Sequence, residues 1–460
     1  MTHHNFDPSI LREYDIRGVI GETLREADAR AIGRTFGTLV AGKGGRRVAV
    51  GYDGRLSSPA LEAALVEGLT QAGIDALSIG RGPTPMLYFA VHHLKADGGI
   101  MVTGSHNPPN HNGFKMMLGH KPFFGEDIKR LGRLAGEGQP ASGAGRTASH
   151  DVRADYLAGL VAAYGATRGL KVAWDCGNGA TGEIVSELVK RLPGQHDVLF
   201  AEIDGRFPAH HPDPTVPDNL RDLQRVVGAH RLDLGIAFDG DGDRIGVIDG
   251  RGRVLWGDQI LVLLARDVLK AHPGATVIAD VKASQVLFDE IAKAGGKPLM
   301  YRTGHSLIKN KMRETGAPLA GEMSGHIFFA DRYYGFDDAI YAAVRLLDVL
   351  ARGEQDLAGC RDRLPQIINT PEIRFDCADI RKFAVVAEVK ERLAKAGARV
   401  NDIDGVRVST ADGWWLLRAS NTQPVLVARC EASDAGGLER MKAAVREVLQ
   451  AAGVALPKGF

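Results

Sequence analysis

Short apolar runs alternate with helix-length segments through most of this chain, and that alternation restricts the fold more than any other feature. Periodicity predicts a helix over 24–42, a strand over 47–52, a helix over 58–73, a strand near 75–79, a helix near 85–95 and a strand running into Ser105. Strands alternating with helices of this length predict a parallel sheet covered on both faces. Residues 134–151 are small and polar and read as a linker. The alternation then resumes with strand 170–175, helix 181–192 and strands near 197–203, 232–238 and 245–248, interrupted by an irregular Pro- and His-rich loop at 205–218. A third unit comes next, with helices at 258–271, 283–294, from 305 and at 336–352, and strands at 275–280, 299–301 and 317–320. Past residue 369 the style changes to strand 371–376, helix 380–396, two or three strands between 405 and 431, and helix 434–453. That last pattern is α+β with antiparallel strands.

The expected fold class is therefore α/β, three similar mixed α/β domains plus a C-terminal α+β domain. The expected boundaries are 1–150, 151–255, 256–368 and 369–460. A chain of 460 residues is long enough for several domains. The repetition is one of architecture, because no sequence repeat at fixed period accompanies it.

Four loops carry candidate chemistry. The first is Thr103-Gly104-Ser105-His106-Asn107-Pro108-Pro109, directly after the apolar Gly99-Ile100-Met101-Val102. Gly104 is expected to take backbone angles closed to other residues, and Asn-Pro-Pro to stiffen the far end of the loop. A stiff loop presenting one serine suits a nucleophile or a phosphate carrier, although the composition alone also fits an ordinary turn.

The second loop is Asp239-Gly240-Asp241-Gly242-Asp243-Arg244. Three carboxylates this close repel one another unless a cation sits among them, and the intervening glycines let the backbone bend so that all three converge. All-oxygen ligation suits Mg²⁺, and Arg244 can fork onto a phosphate or carboxylate. An acidic hairpin turn is the plain alternative. An EF-hand is disfavoured, since the twelfth position from Asp239 is Gly250 and not glutamate.

The third loop, Gly321-Glu322-Met323-Ser324-Gly325-His326, puts Glu322 and Ser324 two apart, on one face of an extended segment, where they can meet sugar hydroxyls. His326 is a candidate acid or base. The fourth, Arg418-Ala419-Ser420-Asn421-Thr422-Gln423-Pro424, gathers donors suited to a phosphate dianion. Taken singly, both also read as polar turns. Lys115, Lys282 and His305 are isolated basic residues; a helix starting at His305 would favour an anion there. The polar pentapeptide Tyr14-Asp15-Ile16-Arg17-Gly18 precedes the first helix.

Several function classes are disfavoured. The net charge of +1 gives no overall field for nucleic acid or an anionic membrane. Cys176, Cys360, Cys377 and Cys430 are far apart with no CxxC pair, against both a thiolate zinc site and a disulfide scaffold. The first residues lack a signal-peptide apolar core, and the run 260–265 is too short to cross a bilayer. A cytoplasmic protein is expected.

Together the four loops, in this order and spacing, resemble the α-D-phosphohexomutase superfamily over nearly the whole chain. Gly321-Glu-Met-Ser-Gly-His326 looks most like the bacterial phosphomannomutase/phosphoglucomutase branch. The resemblance implies four domains around a central cleft, each giving one loop; a monomer is expected. Ser105 would be the phosphoserine, its phosphate completing a Mg²⁺ site made by Asp239, Asp241 and Asp243. Glu322 and Ser324 would grip the sugar, and Arg418, Ser420, Asn421 and Thr422 the phosphate that the substrate already carries. Tyr14, Arg17, Lys115, Arg244, Lys282, His305 and His326 would line the cleft. The implied reaction interconverts hexose 1-phosphate and hexose 6-phosphate through a hexose 1,6-bisphosphate that reorients in the cleft. Lys115, His305 and His326 remain open as the base. Rival readings are a Mg²⁺-dependent phosphatase built on Asp239-Gly-Asp241, a sugar-phosphate sensor, and phosphoglucosamine mutase, which only Met323 disfavours.

Overall fold

The computed structural model describes residues 3–421 and 423–457 and contains four sheets. In the first, the order is Ile16–Val19, His111–Leu118, Gly98–Val102, Arg47–Tyr52, Asp75–Arg81, Thr147–Ser149, with Lys121–Phe123 paired to His111–Leu118. Its Gly98–Val102, Arg47–Tyr52, Asp75–Arg81 and Thr147–Ser149 strands are parallel, whereas His111–Leu118 runs antiparallel to both its neighbours, Gly98–Val102 and Ile16–Val19. The sheet is thus mixed where a parallel one was expected. The sequence segment 103–123 lacks a crossover helix, so the chain can only double back. Within the expected linker, Thr147–Ser149 is an edge strand, and the helix Glu126–Glu137 reaches into its start.

The second sheet runs Val254–Leu255, Ile245–Asp249, Leu234–Phe238, Leu170–Asp175, Gly194–Leu199. The third runs Lys297–Tyr301, Thr276–Asp280, Leu319–Gly321, Ile327–Phe329, Phe336–Asp337. Both have the same parallel half and antiparallel edge as the first. Phe336–Asp337, expected inside a helix, is that edge; the helix Ala339–Arg352 begins after it, capped by the Asp338 side chain on the Tyr341 amide.

The fourth sheet is antiparallel, built on Val406–Ser409, Gly413–Ala419 and Val425–Ala432 and packed against the helices Asp379–Lys395 and Ala435–Ala451. Alternation along Trp414-Trp415-Leu416-Leu417 explains how it docks. Trp415 and Leu417 face their own helices, whereas Trp414 and Leu416 pack on Val281 of the third unit. One continuous apolar core joins the first three units, from Met101 through Trp174 to Val277. The fourth keeps a core of its own.

A common placement emerges from these topologies. The loops 103–110, 239–244 and 322–326 each join the last parallel strand of a sheet to its antiparallel return. The loop 420–424 joins two antiparallel neighbours in the fourth. All four candidate loops are therefore hairpin connections at one end of a sheet. Among the described residues no helix is long and apolar enough to cross a membrane, and the four cysteines are unpaired.

Candidate active site

Gly98–Val102 is buried along its whole length and delivers Ser105 into the loop with φ 48°, in the left-handed region. That conformation is uncommon for a residue with a side chain and costs on the order of 1 kcal/mol. Gly104, contrary to expectation, is not the left-handed residue; it is needed for close approach. A Cβ there would lie 2.4 Å from Arg55 Nε. Arg55 is 1% exposed and donates from Nη1 to the carbonyls of Pro108 (2.6 Å) and His111 (2.9 Å), and from Nη2 to those of Ser105 (2.8 Å) and Asn107 (2.5 Å). The loop is shaped by this one guanidinium, a job for which five fixed donors are suited.

Ser105 Oγ donates to Asp239 Oδ2 at 2.8 Å and lies 3.1 Å from His106 Nδ1. The acidic loop meets it closely, since a Cβ on Gly240 would stand 2.4 Å from the Ser105 carbonyl. Asp239 Oδ1 accepts from the amides of Gly242, Asp243 and Arg244 at 3.0–3.2 Å. Lys115 Nζ donates to Asp241 Oδ2 (2.7 Å) and Asp243 Oδ2 (2.5 Å). Each carboxylate thus has one anchored oxygen, while Asp241 Oδ1 and Asp243 Oδ1 are buried with no hydrogen-bond partner among the described residues.

The electrostatics follow from crowding three carboxylates that are wholly buried. Burial, then Asp241 and Asp243, push Asp239 well above the usual carboxylate range. Asp241 is pulled below it: burial acts to raise it, but Lys115, Thr84 and Arg17 together outweigh burial. Lys115 in turn is held protonated: burial would lower its pKa, but Asp241 and Asp243 raise it. Two orphaned oxygens, Asp239 Oδ2 beside them and a shortage of positive charge fit a hard divalent cation; ligand atoms of the three lie within 4.8 Å of one another.

A neighbouring group, Asp243, His326 and Asp337, also brings ligand atoms together. Its wiring indicates a carboxylate–histidine pair. Asp337 Oδ2 lies 3.0 Å from His326 Nδ1, Lys309 Nζ donates to Asp337 Oδ1 (2.8 Å), and Arg244 Nε donates to His326 Nε2 (2.9 Å). A donor at Nε2 assigns the proton of a neutral ring to Nδ1. The two flanking cations disfavour a metal there. His305 starts the helix His305–Thr315, and Lys309 Nζ sits 3.2 Å from its Nδ1. Burial, then Lys309, hold His305 far below the usual histidine range, so it is neutral.

Across the cleft, Glu322 accepts from the Gly304 amide (2.9 Å) and from Ser324 Oγ (3.0 Å), so the two expected partners do share a face. Lys282 Nζ pairs with Glu372 at 2.7 Å, and Arg418 Nε with Asp404 at 3.0 Å. Asn421 Nδ2 donates to Tyr14 Oη (2.6 Å), which donates to the Thr303 carbonyl (2.8 Å). Arg17 donates to Asn107 Oδ1 at 2.8 Å and pairs with Asp15.

These loops enclose a cavity of about 840 Å³. Tyr14, Arg17, Ser105, Lys115, Arg244, Lys282, His305, Glu322, Ser324, His326, Arg418, Ser420 and Asn421 line it. Asp239, Asp241 and Asp243 lie beneath Ser105, and Thr422 lies outside the described residues. Sequence reasoning missed Arg55, Thr84, Thr103, His106, Asp337 and Glu372. Asp53-Gly54-Arg55 after a strand echoes the acidic loop and is a usable signal for Arg55; nothing in the local sequence marks Thr84 or Glu372.

Four models of the phosphoglucomutase/phosphomannomutase family match the chain: α/β/α domain I over residues 8–134, domain II over 154–252, domain III over 256–367 and the C-terminal domain over 372–448. A Pseudomonas aeruginosa protein named phosphomannomutase/phosphoglucomutase is 44% identical over 98% of both chains. One from Neisseria gonorrhoeae named phosphoglucomutase is 42% identical over 96% of both. The crystal structure of a phosphoglucomutase/phosphomannomutase family protein from Burkholderia thailandensis superposes with a TM-score of 0.93 at 44% identity, over 98% of this chain and 100% of that one.

Proposed function

The chain belongs to the phosphoglucomutase/phosphomannomutase family, and from that membership we propose that it interconverts the 1- and 6-phosphates of mannose and glucose. The observation that carries this reading is the placement of Ser105 Oγ 2.8 Å from Asp239 Oδ2, across a shared cavity from Arg418, Ser420 and Asn421. A phosphoryl carrier and a separate phosphate grip are what a two-ended reaction needs. The four units of the expected division each contribute one loop, so a monomer is complete. Four unpaired cysteines are in keeping with a reducing compartment and support the cytoplasm as its location.

In this reading phosphorylated Ser105 passes its phosphoryl group to the free C1 or C6 hydroxyl of a hexose monophosphate. The 1,6-bisphosphate reorients and returns its other phosphoryl group to Ser105 Oγ. When bound by Asp239, Asp241 and Asp243, Mg²⁺ supplies positive charge for the transferring group. Lys115 and Arg17 lie on the same side of the cavity, and Lys115, held protonated, donates and does not serve as base. Glu322 and Ser324 orient the sugar hydroxyls, and the Lys282, Arg418, Ser420, Asn421 and Thr422 group receives the resting phosphate.

Among the three base candidates, His326 has the support of its contacts. Its Nε2 lone pair is engaged by Arg244, and an arginine drawn onto substrate phosphate frees it to take the sugar hydroxyl proton. His305 has its own Nδ1 beside Lys309, which leaves it a donor at Nε2.

Incubation with glucose 1-phosphate and a trace of glucose 1,6-bisphosphate tests the assignment. Glucose 6-phosphate should form without free phosphate, and mannose 1-phosphate should behave alike. Release of phosphate at the rate of turnover would make the protein a phosphatase instead.

A further inference from the structure

The acidic loop is completed from outside its own sheet. Asp241 Oδ2 accepts from Thr84 Oγ1 (2.5 Å), Thr103 Oγ1 (3.1 Å) and Lys115 Nζ (2.7 Å), all contributed by the first unit. Thr84 also donates its backbone amide to the Asp241 carbonyl at 2.8 Å. Asp241 is therefore gripped at main chain and side chain by a single residue. Thr84 opens the helix Thr84–His93 and, like Asp241, is 0% exposed, so the grip has neither slack nor competing water.

Three donors on Oδ2 use up that oxygen and leave Oδ1 as the acceptor without a partner. A carboxylate fixed in this way turns one chosen oxygen toward a cation. Hydroxyl donors suit the task, because they fix geometry without adding the positive charge that would oppose cation binding. We propose that Thr84, assisted by Thr103, is a positioning residue for the cation site, so that the second unit's metal loop gains its full affinity only when docked on the first unit.

Thr103 does double duty, because its Oγ1 also accepts from the Ser105 amide at 2.9 Å. Thr84 stands on its own helix, outside the serine loop, and is the cleaner residue to test. The inference rests on the cation reading above, and the test separates the two.

Mg²⁺ binding to the full-length protein is measured by calorimetry, and Mn²⁺ binding by electron paramagnetic resonance, in the wild type, Thr84→Val, Thr84→Ser and Thr103→Val. Thr84→Val should weaken both cations by about 10- to 100-fold. Thr84→Ser should stay within about threefold of wild type, with sugar-phosphate binding by the apo protein unchanged in both. Wild-type affinity in Thr84→Val would overturn the proposal, as would a Thr84→Ser variant as weak as Thr84→Val. Should Thr84→Val not fold, unaltered affinity in Thr103→Val together with a weak Thr84→Ser would overturn it. A wild type that binds neither cation would overturn the cation reading itself.

Discussion

Arg244 donates from Nε to Nε2 of His326 at 2.9 Å, a contact between the acidic loop of the second sheet and the 322–326 loop of the third. It holds only while His326 keeps its proton on Nδ1, a state that the charge of Asp337 favours, its Oδ2 lying 3.0 Å away although outside hydrogen-bonding geometry. Asp337 in turn is held well below the usual carboxylate range: burial acts to raise it, but Lys309, His326 and His305 together outweigh burial. A chain of four side chains thus runs from the interior of the third unit to the cavity wall.

Asp337→Asn should break this order, because an amide can present its NH₂ and favour the other tautomer. We expect kcat to fall by about 10²- to 10⁴-fold with KM little changed, as for loss of a positioned acid–base group. Steady-state kinetics with a parallel melting curve check it; a fall in KM and kcat together with folding would show a structural effect only.

Arg55 makes a second prediction. Truncation to alanine leaves four loop carbonyls without their shared donor and Asp53 without its partner at 3.3 Å. The cost should be about 3–5 kcal/mol of stability, readable in denaturant unfolding. Lysine should recover little, because a point charge cannot reach four acceptors spread in a plane. An Arg55→Lys variant as stable as wild type would contradict the account of the loop.

These two residues also mark where sequence reading stops. Ser105 and the Asp239, Asp241 and Asp243 group were legible because their chemistry is packed into a few consecutive positions. The alternation of apolar runs likewise revealed the layered units and the change of style past 369. The return at 245–248 was read, but His111–Leu118 was not, since its sequence is partly polar and it is paired through a turn that local propensity does not specify. Asp337 and Thr84 were invisible for another reason. Their partners lie between 11 and 157 positions away in sequence, so only the packed chain brings them together.

The Lys282–Glu372 pair joins the end of Thr276–Asp280 to the segment entering the fourth sheet. Burial acts to raise Glu372, but Lys282, helped by Arg374 and Arg418, outweighs it and holds the carboxyl down at about 2. A carboxyl whose folded pKa lies below its unfolded one contributes stability above the unfolded value, and that contribution is lost as pH falls through the folded one. The window therefore runs from about 4.5 down to about 2. Lys282 is raised, so its own share is present through this window and fades only at high pH. Glu372→Gln should be less stable than wild type at neutral pH and should converge with it as the pH approaches 2. Melting curves across that range decide; parallel curves would mean that the pair contributes nothing.

Tyr14 ties three units at one oxygen, accepting from Asn421 of the fourth and donating to Thr303 of the third. Gly304 is shaped around it, with φ 138° and a would-be Cβ only 2.5 Å from the ring. Burial pushes the phenol above its usual pKa, so it stays a donor at working pH. Tyr14→Phe keeps the ring contacts and removes both bonds, costing about 1–3 kcal/mol because a carbonyl and an amide lose their partner. The fourth unit has a separate core, so the loss should appear as easier opening there and not as global unfolding. Amide exchange in Gly413–Ala419 and Val425–Ala432 should quicken by about 5- to 150-fold, matching that energy, while exchange in Gly98–Val102 stays unchanged. Equal acceleration in both regions would show that Tyr14 supports the whole molecule and does not act as a clasp on its last unit.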